Sequence, residues 1–112
     1  MSRHDDRVSM QQMRAHAREA VAMGGGKTQE EVAADRKLQL ALTRLIEVVG
    51  EAAARISQDT RLRHSEIPWP GIISMRNRLI HGYDVVDLAV LQSTVSVDLP
   101  QLAARLDAIL GH

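Results

Sequence analysis

One octapeptide, Arg76–Tyr83 (RNRLIHGY), collects the residues best suited to chemistry: Arg76, Asn77, His81 and the chain's single tyrosine, Tyr83. An imidazole with an ordinary pKa of about 6.5 can move protons near neutral pH. On a helix drawn from Pro70 to about His81, Ile72, Ile73, Met75, Leu79 and Ile80 form an apolar arc, and Arg76 falls inside it. A guanidinium there must pair, snorkel or line a cleft. Arg78 falls on the opposite side and reads as surface. Asn77 and His81 are four apart and share a helical face, and the C-terminal end of the dipole favours a protonated His81. Arg76 and His81 lie about 140° apart on such a helix. They meet one substrate only if the helix ends there, if Arg76 reaches round, or if a second chain completes the site. The bland alternative is a capping His81–Gly82, a core Tyr83 and an Arg76 neutralised by an internal carboxylate.

The elements that must carry this stretch are helical. From Arg7 to Met23 nothing breaks a helix; the apolar stripe (Val8, Ala15, Ala22, Met23) is weak, and Gly24-Gly25-Gly26 ends it. GGGKT resembles part of a phosphate-binding loop, but the position that needs the first glycine is Val21, inside the helix. Thr28 with Glu31 instead reads as a capping box. A long helix over about residues 29–57 follows, with Leu38, Leu42, Leu45, Ile46, Val49, Ala53 and Ile56 on one arc. Gly50 in its interior predicts close approach by another backbone, from this chain or a second one. Glu51 lies off the arc, either as a solvated partner of Arg55 or near a functional cleft. Ser57 to Ser65 reads as a polar loop; its Arg61, Arg63 and His64 are candidate phosphate contacts. Pro68-Trp69-Pro70 precedes the octapeptide helix. Asp87 caps a helix from Leu88 to about Val97, and Asp98 and Pro100 mark a kink or restart before a last helix ending near Leu110. No segment reads as a strand. The pattern predicts an all-α bundle of four to five helices in one domain, 1–112, with residues 1–6 as a tail.

Composition narrows the functions. The 112 residues include no cysteine, which excludes thiol chemistry, disulfides and zinc–thiolate sites. Aromatics are 2% of the chain, so base-stacking sheets are not expected, and the aliphatic core favours added burial by oligomerisation. Fourteen basic residues balance fourteen acidic ones, so any polyanion binding must rest on a local patch. No apolar run approaches membrane-spanning length and no leader is apparent, which makes a cytoplasmic protein without a membrane role the expectation.

RNRLIHGY matches R-x4-H-x-Y, and with it the chain resembles the HepT-like branch of the HEPN superfamily. Asp35-Arg36, Val49-Gly50-Glu51-Ala52, Ile67-Pro68-Trp69, Ser74-Met75-Arg76-Asn77 and Asp98-Leu99-Pro100 fit the same pattern, from about Gln29 to the C-terminus. The resemblance implies a homodimer whose two octapeptides line a shared cleft and cleave RNA without metal or cofactor. It implies a toxin paired with a small nucleotidyltransferase antitoxin. In that role Arg76 holds the scissile phosphate, His81 is the general acid–base and Asn77 orients His81 or the phosphate. Tyr83 assists RNA binding and accepts AMP from the antitoxin. Arginine and histidine can supply the charge stabilisation and proton transfers that 2′-hydroxyl attack requires. Two readings stand beside it: a non-catalytic dimer that binds nucleotide or the nucleotidyltransferase, and a purely structural helical protein.

Overall fold

The computed structural model of the chain describes residues 5–81 and 85–111, with His81 represented by its backbone. The all-α expectation holds. Helix α1 (Asp6–Gly24) starts at Asp5, whose carboxylate accepts from the Arg7 N–H, and packs against both α3 and α8. Its buried face is not the weak stripe through Val8, Ala15, Ala22 and Met23. Met10, Met13, Ala17, Ala20 and Gly24 are buried instead, while Val8 and Met23 are exposed. That spacing of three and four gives a clean helical seam. Its small residues bring the neighbouring helix close: a Cβ on Gly24 would lie 2.8 Å from Leu42 Cδ1.

The predicted helix over 29–57 is two. Helix α2 (Gln29–Ala33) carries the predicted capping box in full, with Thr28 and Glu31 each accepting from the other's backbone N–H. The chain then breaks at Ala34–Asp35, because the Asp35 carboxylate accepts from the Leu38 N–H and starts α3 (Arg36–Ala54) afresh. The core face of α3 holds Leu38, Leu42, Ile46, Val49 and Ala53, as the periodicity requires. The polar stretch after it is not a loop. Residues Gln58–Arg63 form α4, capped by Ser57 and tied to the start of α1, where Asp6 accepts from the hydroxyls of Ser57 and Thr60 at 2.6 Å each. This tertiary clamp has no signature in local periodicity.

Helices α5 (Trp69–Ile73) and α6 (Met75–Leu79) meet at a break on Ser74. The chain then leaves the helix: β1 (Ile80–His81) pairs antiparallel with β2 (Val85–Val86), Ile80 opposite Val86 and His81 opposite Val85. The Leu79 carbonyl accepts from the Asp87 N–H at 2.7 Å, outside any helical ladder. Ile80, Val85 and Val86 are β-branched and favour this outcome. The octapeptide is therefore helical from Arg76 to Leu79 and extended at Ile80 and His81. Helix α7 (Leu88–Ser93), capped by Asp87, continues through a π-helical turn (Thr94–Asp98) into α8 (Leu99–Leu110). The predicted irregularity at Pro100 takes this form. Its ring has no N–H and would clash with the carbonyl four residues back, so the helix widens by one residue. Long helices α1, α3 and α8, with the broken α5–α6 pair packed on α3, enclose one aliphatic core.

Candidate active site

Two buried anchors set Arg76. Met75 and Leu79 are almost fully buried, so α6 presents Arg76, Asn77 and Arg78 outward. Gly50 brings the preceding helix α5, and α6 with it, onto α3: a Cβ there would lie 3.2 Å from the carbonyl oxygens of both Ile72 and Ile73. The close backbone approach predicted from Gly50 is thus made within this chain.

Across this contact Arg76 meets a carboxylate. Its Nε lies 2.6 Å from Glu47 Oε2, while Arg44 Nη1 lies 2.5 Å from the other oxygen, Oε1. Glu47 therefore holds one guanidinium on each of its oxygens. Arg44 also reaches Glu51 at 3.6 Å, so Glu51 pairs with Arg44 and not, as one reading had it, with Arg55. The Arg76 side chain remains 48% exposed, so it both pairs and lines a cleft. On one side a groove of about 230 Å³ runs between α3 and the hairpin, bounded by Arg36, Leu40, Arg44, Arg76, Ile80 and Val86. On the other a groove of about 320 Å³ is bounded by Gly50, Glu51, Ile73 and Asn77. Arg76 and Glu47 form the ridge shared by both.

The predicted residues separate on this frame. Arg76, Asn77 and Glu51 come together. Arg78 is exposed and donates to the Gly71 carbonyl at 3.2 Å, as a surface residue can. Arg61 is structural: it donates to the carbonyls of Ala53, Ala54 and Ile56 and so closes the C-terminus of α3. Arg63 donates to Thr60 Oγ1, and His64 lies 3.6 Å from Glu66. None of these three lines the grooves beside Arg76. The backbone of His81 enters β1 two residues past the end of α6, so the shared helical face with Asn77 and the helix-terminal placement of His81 do not apply. The His81 side chain and all of Tyr83 lie outside the described residues. Sequence reasoning missed Glu47 and Arg44. With Glu51 they form an i, i+3, i+7 stripe on α3, a legible charged face, but nothing local links that stripe to Arg76.

The ribonuclease HepT-like family profile matches residues 11–109. The chain is 40% identical over 80 residues to a protein of Thermococcus cleftensis named "Probable ribonuclease HepT", covering 71% of this chain and 73% of that one. It is 33% identical over 81 residues to a candidate RNase of Caldanaerobacter subterraneus, covering 72% of each. A candidate RNase of Methanocaldococcus jannaschii is 25% identical over 97% of this chain and the whole of its own length. No solved structure gives a significant match. A match over nearly all of the chain, with relatives of this identity, means that the protein belongs to the ribonuclease HepT-like family.

Proposed function

We propose that the protein is an endoribonuclease that cleaves RNA at a cleft centred on Arg76 and His81, acting as a homodimer without a metal ion. The observation that carries this reading is the half-exposed Arg76, fixed by Glu47 on a ridge between two grooves, in a chain of a ribonuclease family. Glu47 engages Nε, which leaves the terminal nitrogens of Arg76 for a phosphate. In the reaction the RNA 2′-oxygen attacks the adjacent phosphorus and the 5′-oxygen departs. The 2′-hydroxyl proton goes to a base and the leaving oxygen takes one from an acid. His81 fills these roles, one histidine from each protomer, and Arg76 offsets the charge on the phosphorane oxygens. The products are a 2′,3′-cyclic phosphate and a 5′-hydroxyl. Asn77, beside Arg76 in the groove with Gly50 and Glu51, orients the phosphate or the imidazole.

The physiological setting we propose is a toxin held in check by a nucleotidyltransferase antitoxin. Attack of the Tyr83 hydroxyl on the α-phosphorus of ATP would form a tyrosyl-AMP and release pyrophosphate. The added phosphate would place negative charge where the RNA backbone belongs. Purified protein incubated with RNA and a chelator is the direct test, with His81→Ala beside it. Cleavage by the wild type alone, ending in cyclic phosphate, is the expected result; equal cleavage by both removes His81 from the mechanism. No cleavage by either would favour a binding module. Light scattering gives the oligomeric state, expected at twice the 12.4 kDa chain mass.

A further inference from the structure

The Glu47 carboxylate does more than hold Arg76. It brings a second guanidinium, that of Arg44, to the same groove, although two like charges at such range repel. Both contacts made by Arg44 run through one nitrogen, Nη1, to Glu47 and Glu51. Among the described residues its Nε and Nη2 make no hydrogen bond, and the side chain is 65% exposed. Arg36 and Thr43 also line this groove; the rest of its wall is apolar, from Leu40, Ile80 and Val86, and Leu40 is itself 54% exposed. Two guanidiniums held side by side by one carboxylate match a ligand with anionic groups repeated along a chain. The apolar wall suits the face of a base between them.

We propose that Arg44 is a second phosphate contact: with Arg76 on the scissile phosphate, Arg44 takes the neighbouring phosphate of single-stranded RNA, and Leu40, Ile80 and Val86 receive the intervening nucleotide. The inference rests on the ribonuclease reading for its ligand and extends it to a footprint of at least two phosphates. Glu47 is then a positioning residue for both arginines.

The test uses the full chain and a 2′-O-methyl oligoribonucleotide, which lacks the nucleophile and cannot be cut. Binding is measured by anisotropy across a salt series for the wild type, Arg44→Ala and Arg105→Ala, the last an exposed arginine of α8. Loss of one phosphate contact flattens the slope of log affinity against log salt by about 0.7 for single strands. Arg44→Ala is expected to show that flattening and about a tenfold weaker affinity at low salt, with Arg105→Ala matching the wild type. A methylphosphonate beside the scissile position, on one flank, is expected to weaken the wild type by a similar factor and leave Arg44→Ala unaffected. An Arg44→Ala slope equal to that of the wild type overturns the inference, as does equal sensitivity of the two proteins to the methylphosphonate on both flanks. A protein that binds no RNA overturns it together with the ribonuclease reading. Binding that depends on Arg44 in a wild type that cuts no unmodified RNA overturns the ribonuclease reading alone.

Discussion

At the scale of single residues, exposure separates catalysis from stability. Arg76 is 48% exposed and Glu47 29%, so their ion pair is largely screened by water. Such pairs contribute about 1 kcal/mol or less. Arg76→Ala is therefore expected to lower the thermal midpoint by no more than about 4 °C, while RNA cleavage falls about a hundredfold or more, as when a charge-stabilising donor is removed. Trp69, the single tryptophan, is buried with its Nε1 on the His64 carbonyl, and its fluorescence reports the unfolding. A collapsed midpoint would support the purely structural reading of Arg76. Glu47→Gln keeps the shape and removes the charge that fixes Arg76, so a fall in kcat/KM of about tenfold is expected with the fold intact. A lysine at position 76 cannot engage Glu47 and a phosphate through a planar fork, and Arg76→Lys should not restore activity.

At the scale of elements, the site depends on how closely α5 and α6 lie on α3. Gly50 normally costs a helix about 1 kcal/mol relative to alanine. Gly50→Ala would nonetheless destabilise, because the new Cβ meets two backbone carbonyls at 3.2 Å and neither can swing away as a flexible side chain can. The expected net loss is about 1 kcal/mol or more in denaturant titration, with lower RNA cleavage because Arg76 moves with the shifted helix. Arg61 gives the contrasting case. Arg61→Ala removes the side-chain donor from three carbonyls at and just past the end of α3, of which that of Ala53 keeps the Ile56 N–H, and should cost about 1–2 kcal/mol of stability, yet leave the salt dependence of RNA binding unchanged. The periodicity of α3 and the capping box of α2 were legible because each is a local pattern. The break at Asp35, the clamp of Asp6 on α4 and the hairpin after Leu79 were not, because a competing cap or a distant partner decides them.

At the scale of the whole molecule, the two ends of the chain are joined by charge. Asp107 of α8 pairs with Arg18 and Arg14 of α1, at 3.3 Å for Arg14. Arg7 donates to the Leu110 carbonyl as well. The hydrogen bond from Arg18 is the largest influence on Asp107 and holds its carboxyl below the ordinary range; burial, the next largest, opposes it, and Arg14 adds smaller effects in the lowering sense. A depressed folded pKa means that the unfolded chain binds the proton first as pH falls. The stabilisation is thus present above the ordinary carboxylate value of about 4 and is lost as pH drops through the lower folded value. Glu31, lowered by its capping bonds with Thr28, titrates with the same sign. Asp107→Asn should lower the thermal midpoint near neutral pH, and the gap to the wild type should close as pH is taken below about 4. A constant gap would show that the charge of Asp107 is not what α1 and α8 share.

The sequence by itself determined the helical class, the core face of α3, the caps at Thr28 and Asp87 and the irregularity at Pro100. Each of these follows from residue type and spacing within a turn or two, where the backbone's own geometry governs. The R-x4-H-x-Y stretch also pointed to the family that the comparisons establish. What tertiary structure alone decided is what Arg76 does with its charge. Only the contact of Gly50 with the carbonyls of Ile72 and Ile73 brings Arg76 to Glu47, twenty-nine positions earlier in the chain, and Arg44 to the same groove. Only the pairing of Ile80 with Val86 and of His81 with Val85 turns Ile80 and His81 out of the helix. Contacts between distant segments are set by how elements pack, and no local period in the chain encodes them.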